Sequence, residues 1–268
     1  MNAQLRSRVI TAALGIPLLI GIIGWGGAGL FSLLVFLLTA IALGEYFFLV
    51  FRDLKKERIL GIVLGILLSL GIVIPGYPAP GLSLSLVVLL GFSAYLFSGG
   101  DLEKGYRHLG WTLVGVLYLG YLFPHVALLY QLREGRAWLF FLLLVIMTGD
   151  TAGYFAGRRW GRTKLYPEVS PGKTVEGAVA SLGASVLAGV IGGGFLLPAV
   201  SRAEILLLSL LLSALGQAGD LFESWIKRVF SVKDSGSLLP GHGGLLDRTD
   251  SLIFPVVFTA YYVRFLHP

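Results

Sequence analysis

The sequence predicts an all-α integral membrane protein of about nine transmembrane helices, with its N-terminus cytoplasmic and its C-terminus outside. Two observations carry this prediction: the length of the uncharged apolar runs and the one-sided placement of Lys and Arg. Of 268 residues, 56% are hydrophobic and only 13% charged, and the mean hydropathy is +0.82. An ordinary soluble domain carries roughly twice that charge, so this composition offers too little polar surface to cover a soluble fold. A bilayer core asks for about 20 apolar residues per helix. Charge-free runs at 59–98, 109–132 and 177–201 meet or exceed that length.

The spans follow in order. The first, 9–25, ends at the turn-like GWGGAG of 24–29; no small-residue cleavage site follows it, so it reads as a span rather than a leader. The second, 28–51, stops at Arg52. The long run 59–98 is broken only by PGYPAPG at 75–81, whose Pro and Gly end helices, and so divides into spans 59–74 and 82–98. Spans 109–132 and 137–157 are separated by Arg133, Glu134 and Arg136. Span 175–197 carries GGGF at 192–195, which suits close helix packing. Spans 203–226 and 252–267 complete the chain. No internal repeat is visible, and one membrane domain covers 1–268. The absence of Cys excludes disulfides and thiolate metal sites.

Charge orients these spans. Lys and Arg in short loops mark the cytoplasmic side. With the N-terminus inside, every cation except Arg133, Arg136, Arg202 and Arg264 falls on the cytoplasmic face. The net charge of +6 therefore belongs to that face, where it attracts anionic headgroups or a polyphosphate. Nothing in this pattern points to nucleic acid.

Carboxylates inside spans are costly and mark function by default. Asp150 precedes Arg158 by two helical turns, about 12 Å from the cytoplasmic end of its span, and Asp220 stands about 10 Å above Lys227. Glu176 opens the seventh span, and Asp247 and Asp250 open the ninth. Asp220, Glu223 and Lys227 share one helical face. Acids gathered at one depth repel unless protonated or bridged, and a hard oxygen-liganded ion such as Mg²⁺ is the simplest bridge. The plainer alternative is that Asp150 and Asp220 only pair with Lys or Arg across helices.

Two polar segments supply the complement. In KDSGSLLPGHGGLLDRTDS (233–251), Gly236, Gly241, Gly243 and Gly244 let backbone N–H groups curl around an anion. Lys227, Arg228, Lys233, His242 and Arg248 add positive charge; His242 is equally suited to bracing the loop. The segment 158–177 repeats this recipe with Arg158, Arg159, Arg162, Lys164, Lys173 and Glu176. GKT at 172–174 is no phosphate-binding loop of the GxxxxGK[ST] type, because the upstream Gly is missing. Acids for a divalent ion, cations for phosphates and a bilayer-level location suggest phosphoryl or nucleotidyl transfer to a lipid.

The stretch SWIKRVFSVKDSGSLLPGHGGLLDRTDS resembles the signature of phosphatidate cytidylyltransferases (CDP-diacylglycerol synthases). The matching residues are Ser224, Lys227, Arg228, Lys233, Asp234, Gly236, Leu239, Pro240, His242, Gly243, Gly244, Asp247, Arg248 and Asp250. The middle stretch, with Asp150, YFAGRRWG and SPGKTVEG, and the opening RSRVITAALGIPL are also similar, so the likeness spans the chain and is densest over 145–255. One departure is local: Asp150-Thr-Ala-Gly-Tyr154 stands where the family commonly reads D-T-G-A-Y, which bears on helix packing rather than chemistry.

This resemblance implies Mg²⁺-dependent transfer from CTP to phosphatidic acid, giving CDP-diacylglycerol and pyrophosphate, with room for an additional cation. It implies a multi-pass, homodimeric enzyme of the cell membrane, whose site opens to the cytoplasm and to lipid. Asp220 and Asp247 are then the expected metal ligands, followed by Asp250 and Glu223. Lys227, Arg228, Lys233 and Arg248 are expected to hold phosphates, with Asp234 beside them, and His242, Gly243 and Gly244 to close over them. Lys173 and Glu176 complete the rim, and Asp150 supports the metal or orients a cation. A transporter of an anionic substrate and a polyprenol kinase are the rival readings. Clustering on one face opposes the first, and the full signature opposes the second.

Overall fold

The computed structural model describes residues 17–74, 80–236 and 243–267, together with Ala13 and Gly15. His242, Gly241, Leu239 and Pro240, named above, and most of the opening RSRVITAALGIPL lie outside the described residues. The described chain is overwhelmingly helical, with one short hairpin, and is that of an all-α membrane protein. Five of its helical runs are long and apolar enough to cross a membrane: Ala28–Val50, Leu102–Gln131, Gly135–Trp160, Val175–Leu196 and Arg202–Val229. Contacts divide the chain into two compact units, Met1–Gln131 with Asp234–Arg248, and Leu132–Lys233 with Thr249–Pro268.

In the first unit, residues 17–25 are helical, followed by α1 (Ala28–Val50), α2 (Lys55–Val73), α3 (Pro80–Leu96) and α4 (Leu102–Gly115). A π-helical stretch, Val116–Leu122, joins α4 to α5 (His125–Gln131). Helix α4 starts before the predicted position 109 because the Asp101 side chain accepts the N–H groups of Glu103 (2.9 Å) and Lys104 (3.2 Å), an N-cap that frees the helix from needing apolar residues there. Small residues let these helices close. A Cβ on Gly61 would meet the Phe47 ring at 2.3 Å, one on Gly65 the Leu43 side chain at 2.6 Å, and one on Gly120 the Gly65 carbonyl oxygen at 2.7 Å. Without a hydrophobic drive between helices in lipid, such close backbone approach and interhelical hydrogen bonds do the holding. Tyr46 donates to Trp111 O (3.0 Å), and Gln131 donates to Ser32 Oγ (3.0 Å) and Val73 O (3.2 Å).

The second unit holds α6 (Gly135–Trp160), a hairpin of β1 (Lys164–Tyr166) and β2 (Ser170–Thr174), α7 (Val175–Leu196), α8 (Arg202–Val229) and most of α9 (Leu246–Leu266). The hairpin falls in a segment read from the sequence only as a cationic loop. Thr174 ends it and caps α7, its Oγ1 accepting the N–H of Gly177 at 3.1 Å. Helices α6 and α7 meet along small residues at four-residue spacing, Gly149, Gly153 and Gly157 against Gly177, Ser181 and Ser185. A Cβ would lie 2.2 Å from Ser185 Oγ at Gly149, and 3.2 Å from Gly177 O at Gly153. Gly153 of the Ala152-Gly153 pair thus stands on the contact face. On the other side of α8, a Cβ on Gly219 would lie 2.5 Å from Asp250 O, and one on Gly216 would lie 3.1 Å from Ser251 O. Pro255 has no N–H to offer that Ser251 carbonyl.

Candidate functional site

Within the second unit, four elements bring charge together. Asp220 stands on α8 next to Gly219, whose missing side chain admits the backbone of α9 at Asp250. Lys173 of β2 pairs with Asp220, Nζ to Oδ2 2.7 Å, both side chains partly exposed. Ser224, one turn on, donates to Asp220 Oδ1 at 3.4 Å. Asp150 on α6 accepts a hydrogen bond from Ser251 Oγ at 3.0 Å, and Asp250 accepts the N–H of Ser251 at 2.8 Å. Asp250 lies in the field of Asp220, Lys227 and Asp150, and Asp150 in that of Asp220 and Lys173. Three expected acids and two expected cations are therefore electrostatic neighbours.

The remaining expected residues of this unit are placed differently. Glu223 is fully buried and pairs with Lys227 at 2.5 Å, one turn along α8. Arg228 donates through Nε to Val169 O (3.2 Å) and through Nη1 to Val232 O (3.1 Å), tying the end of α8 to the hairpin turn. Glu176 accepts the N–H of Thr163 (3.1 Å) and so braces the base of the hairpin from the first turn of α7. Lys233 is exposed.

In the first unit the glycine-rich segment is organised by carboxylates of the chain itself. Asp247 Oδ2 accepts from Gly244 N (2.8 Å), Ser235 N (3.0 Å) and Ser235 Oγ (3.0 Å). The Gly244 N–H, expected to face a phosphate, therefore donates to Asp247. Gly243 has φ +84°, and a Cβ there would press on Asp247 Oδ2 at 2.8 Å, so its glycine identity serves the turn. Asp234 and Arg248 are exposed.

One acid that the sequence reading passed over belongs to this group. Glu45, on α1, accepts the N–H of Leu245 (2.9 Å) and Leu246 (3.0 Å), with Ser235 Oγ at 3.4 Å. The signal that would have found it is the one applied elsewhere, a carboxylate inside an apolar span, here ALGEYFF.

Among the described residues, no three of His, Cys, Asp and Glu are close enough to enclose a metal ion. Mg²⁺ asks for less: it keeps several waters and takes one or two carboxylates, with substrate phosphates filling other positions. Asp220 and Asp250, neighbouring acids with Lys173 and Lys227 beside them, fit that demand. The arrangement is suited to a polyphosphate bound with a divalent ion.

Comparison with known proteins agrees with this chemistry. Residues 6–266 match the model of the cytidylyltransferase family. The chain is 36% identical over 258 residues to the phosphatidate cytidylyltransferase of Staphylococcus saprophyticus, covering 93% of this chain and 95% of that protein. It is 34% identical over 242 residues to that of Bacillus subtilis (85% and 86%) and 35% over 265 residues to that of Brucella suis (94% and 90%). The chain belongs to the cytidylyltransferase family, the family of these phosphatidate cytidylyltransferases.

Proposed function

We infer that this chain is a nucleotidyltransferase of phospholipid biosynthesis, converting CTP and phosphatidate into CDP-diacylglycerol and pyrophosphate. The observation that carries the inference is the near full-length match to proteins named for that activity. An oxygen of the phosphatidate phosphate attacks the α-phosphorus of CTP in line. The new P–O bond forms as the bond to the β-phosphate oxygen breaks, and pyrophosphate leaves with that electron pair. The attacking phosphate is already anionic, so positioning and charge neutralisation supply the catalysis and no general base is required.

Mg²⁺ bound here would neutralise the triphosphate and the charge developing on the leaving group. Asp220 and Asp250 are the ligands we assign to it. Glu223 pairs with Lys227, and Asp247 accepts three bonds of its own loop at Oδ2, so these two acids follow Asp220 and Asp250 in the proposed order. Lys173, Lys227, Arg228, Lys233 and Arg248 are the proposed phosphate partners, and Asp150 a support for the acids. The proposal includes nine spans with the N-terminus inside, a site open to the cytoplasm and a homodimer; the distribution of Lys and Arg supports the orientation.

Purified protein given labelled CTP and phosphatidate should form a lipid-soluble cytidine product only when phosphatidate and Mg²⁺ are both present. Labelled phosphate reaching lipid without cytidine would make it a kinase. No lipid labelling by folded protein would remove the assignment.

A further inference from the structure

We propose that Glu45 is a positioning residue for this reaction, the internal anchor that sets the conformation of the segment bearing Asp234, Gly243, Gly244, Asp247 and Arg248. The inference rests on the cytidylyltransferase reading and adds to it a residue far away in sequence and outside the signature.

Three features of the first unit converge on this carboxylate. Its two oxygens take separate backbone donors, Oε1 the N–H of Leu245 and Oε2 the N–H of Leu246, at 2.9 and 3.0 Å. These N–H groups open α9, a 21-residue helix; the first N–H groups of a helix have no partner within it, and a negative charge is favoured there. Ser235 Oγ lies between Glu45 Oε2 (3.4 Å) and Asp247 Oδ2 (3.0 Å), so both acids grip the same residue.

The glycines give the independent argument. The three atoms nearest to a Cβ on Gly236 would all belong to Glu45, at 2.8 Å (Oε1), 3.0 Å (Cδ) and 3.2 Å (Cγ). A Cβ on Gly244 would stand 2.6 Å from Glu45 Oε2, as well as 2.2 Å from Ser235 Oγ. Two glycines of the signature are thus the space that Glu45 occupies. A carboxylate on a membrane helix is costly without partners, and this one finds Ser235, Leu245 and Leu246, in the signature segment and at the start of α9.

Position matters because a displacement of about 1 Å in a catalytic group can cost 10²-fold in rate. Glu45→Gln keeps the shape but turns an NH₂ group toward one of the two N–H donors, so the segment must shift. The test measures kcat, KM for CTP and the thermal midpoint of the purified full-length protein for wild type, E45Q, E45A, G236A and E45A/G236A. We expect E45Q to lose about 10²-fold in kcat with the thermal midpoint retained. G236A should be impaired alone, yet add little further in the E45A background, where the three atoms nearest to its methyl group have been removed. Wild-type kcat in E45Q overturns the proposal, as does activity that falls only in step with the folded fraction, or a G236A effect undiminished by E45A. If wild type itself forms no CDP-diacylglycerol, the failure lies with the reaction assigned and not with Glu45.

Discussion

Asp220 and Asp247 are two carboxylates of one signature, and they are held by opposite means. Asp220, in the second unit, is met by a lysine ammonium at 2.7 Å and a weak serine hydroxyl contact at 3.4 Å. Asp247, in the first, is met through one oxygen by two backbone N–H groups and a hydroxyl at 2.8–3.0 Å. A long, flexible cation is a partner that can be exchanged for a metal ion or moved onto a phosphate. Backbone donors in a turn move only if the turn does. The first arrangement suits an acid that takes part in binding; the second suits an acid that also shapes its surroundings.

That contrast can be broken by mutation. Asp220→Asn should have the largest effect, about a 10³-fold fall in kcat with Mg²⁺ present, since an amide neither neutralises Lys173 nor binds Mg²⁺ well. Retained turnover at saturating Mg²⁺ would sink the assignment of Asp220 as a ligand. Asp247→Asn comes next, about 10²-fold, because its amide oxygen can take over the position of Oδ2 and keep the turn. Asp247→Ala removes the acceptor and should cost thermal stability as well, about 1–3 kcal/mol from donors left unsatisfied. If Asn and Ala at 247 were equally stable, the turn would not depend on this acid. Lys173→Met should lower kcat/KM for CTP by roughly 10–100-fold, with Lys173→Arg in between. Glu176→Gln should be smallest: it weakens the bond to Thr163 N, readable as a slightly lower thermal midpoint with kcat within a few-fold of wild type.

Most of the helical architecture was legible because lipid allows few alternatives. A charge-free run such as 177–201 must satisfy its backbone within the helix, and α7 indeed occupies Val175–Leu196. The early start of α4 depends on a polar cap at Asp101, which a reading based on apolar length overlooks. The hairpin at 164–174 was read as a loop since its strands are too short and too polar to show alternation. In the site, spacing put Asp220, Glu223 and Lys227 on one helical face, but did not show that Glu223 would be buried and paired with Lys227. The glycines were read as room for a ligand's anion. Anions of the protein lie against Gly236, Gly243 and Gly244, and the choice between those occupants is made by tertiary placement of Glu45, which lies 190 residues from its partner Ser235.

The seam between α6 and α7 also bears on traffic. A methyl group at Gly149 would lie 2.2 Å from Ser185 Oγ, and one at Gly153 or Gly157 would already be in tight contact, 3.2 Å from Gly177 O and 3.0 Å from Thr174 Oγ1; Ser185 Oγ donates to Val145 O across the seam at 2.9 Å. A fatty acyl chain, wider than a methyl group along its whole length, has no slot there. The two helices form a closed wall, and a substrate tail arriving sideways from the bilayer must come in past some other pair.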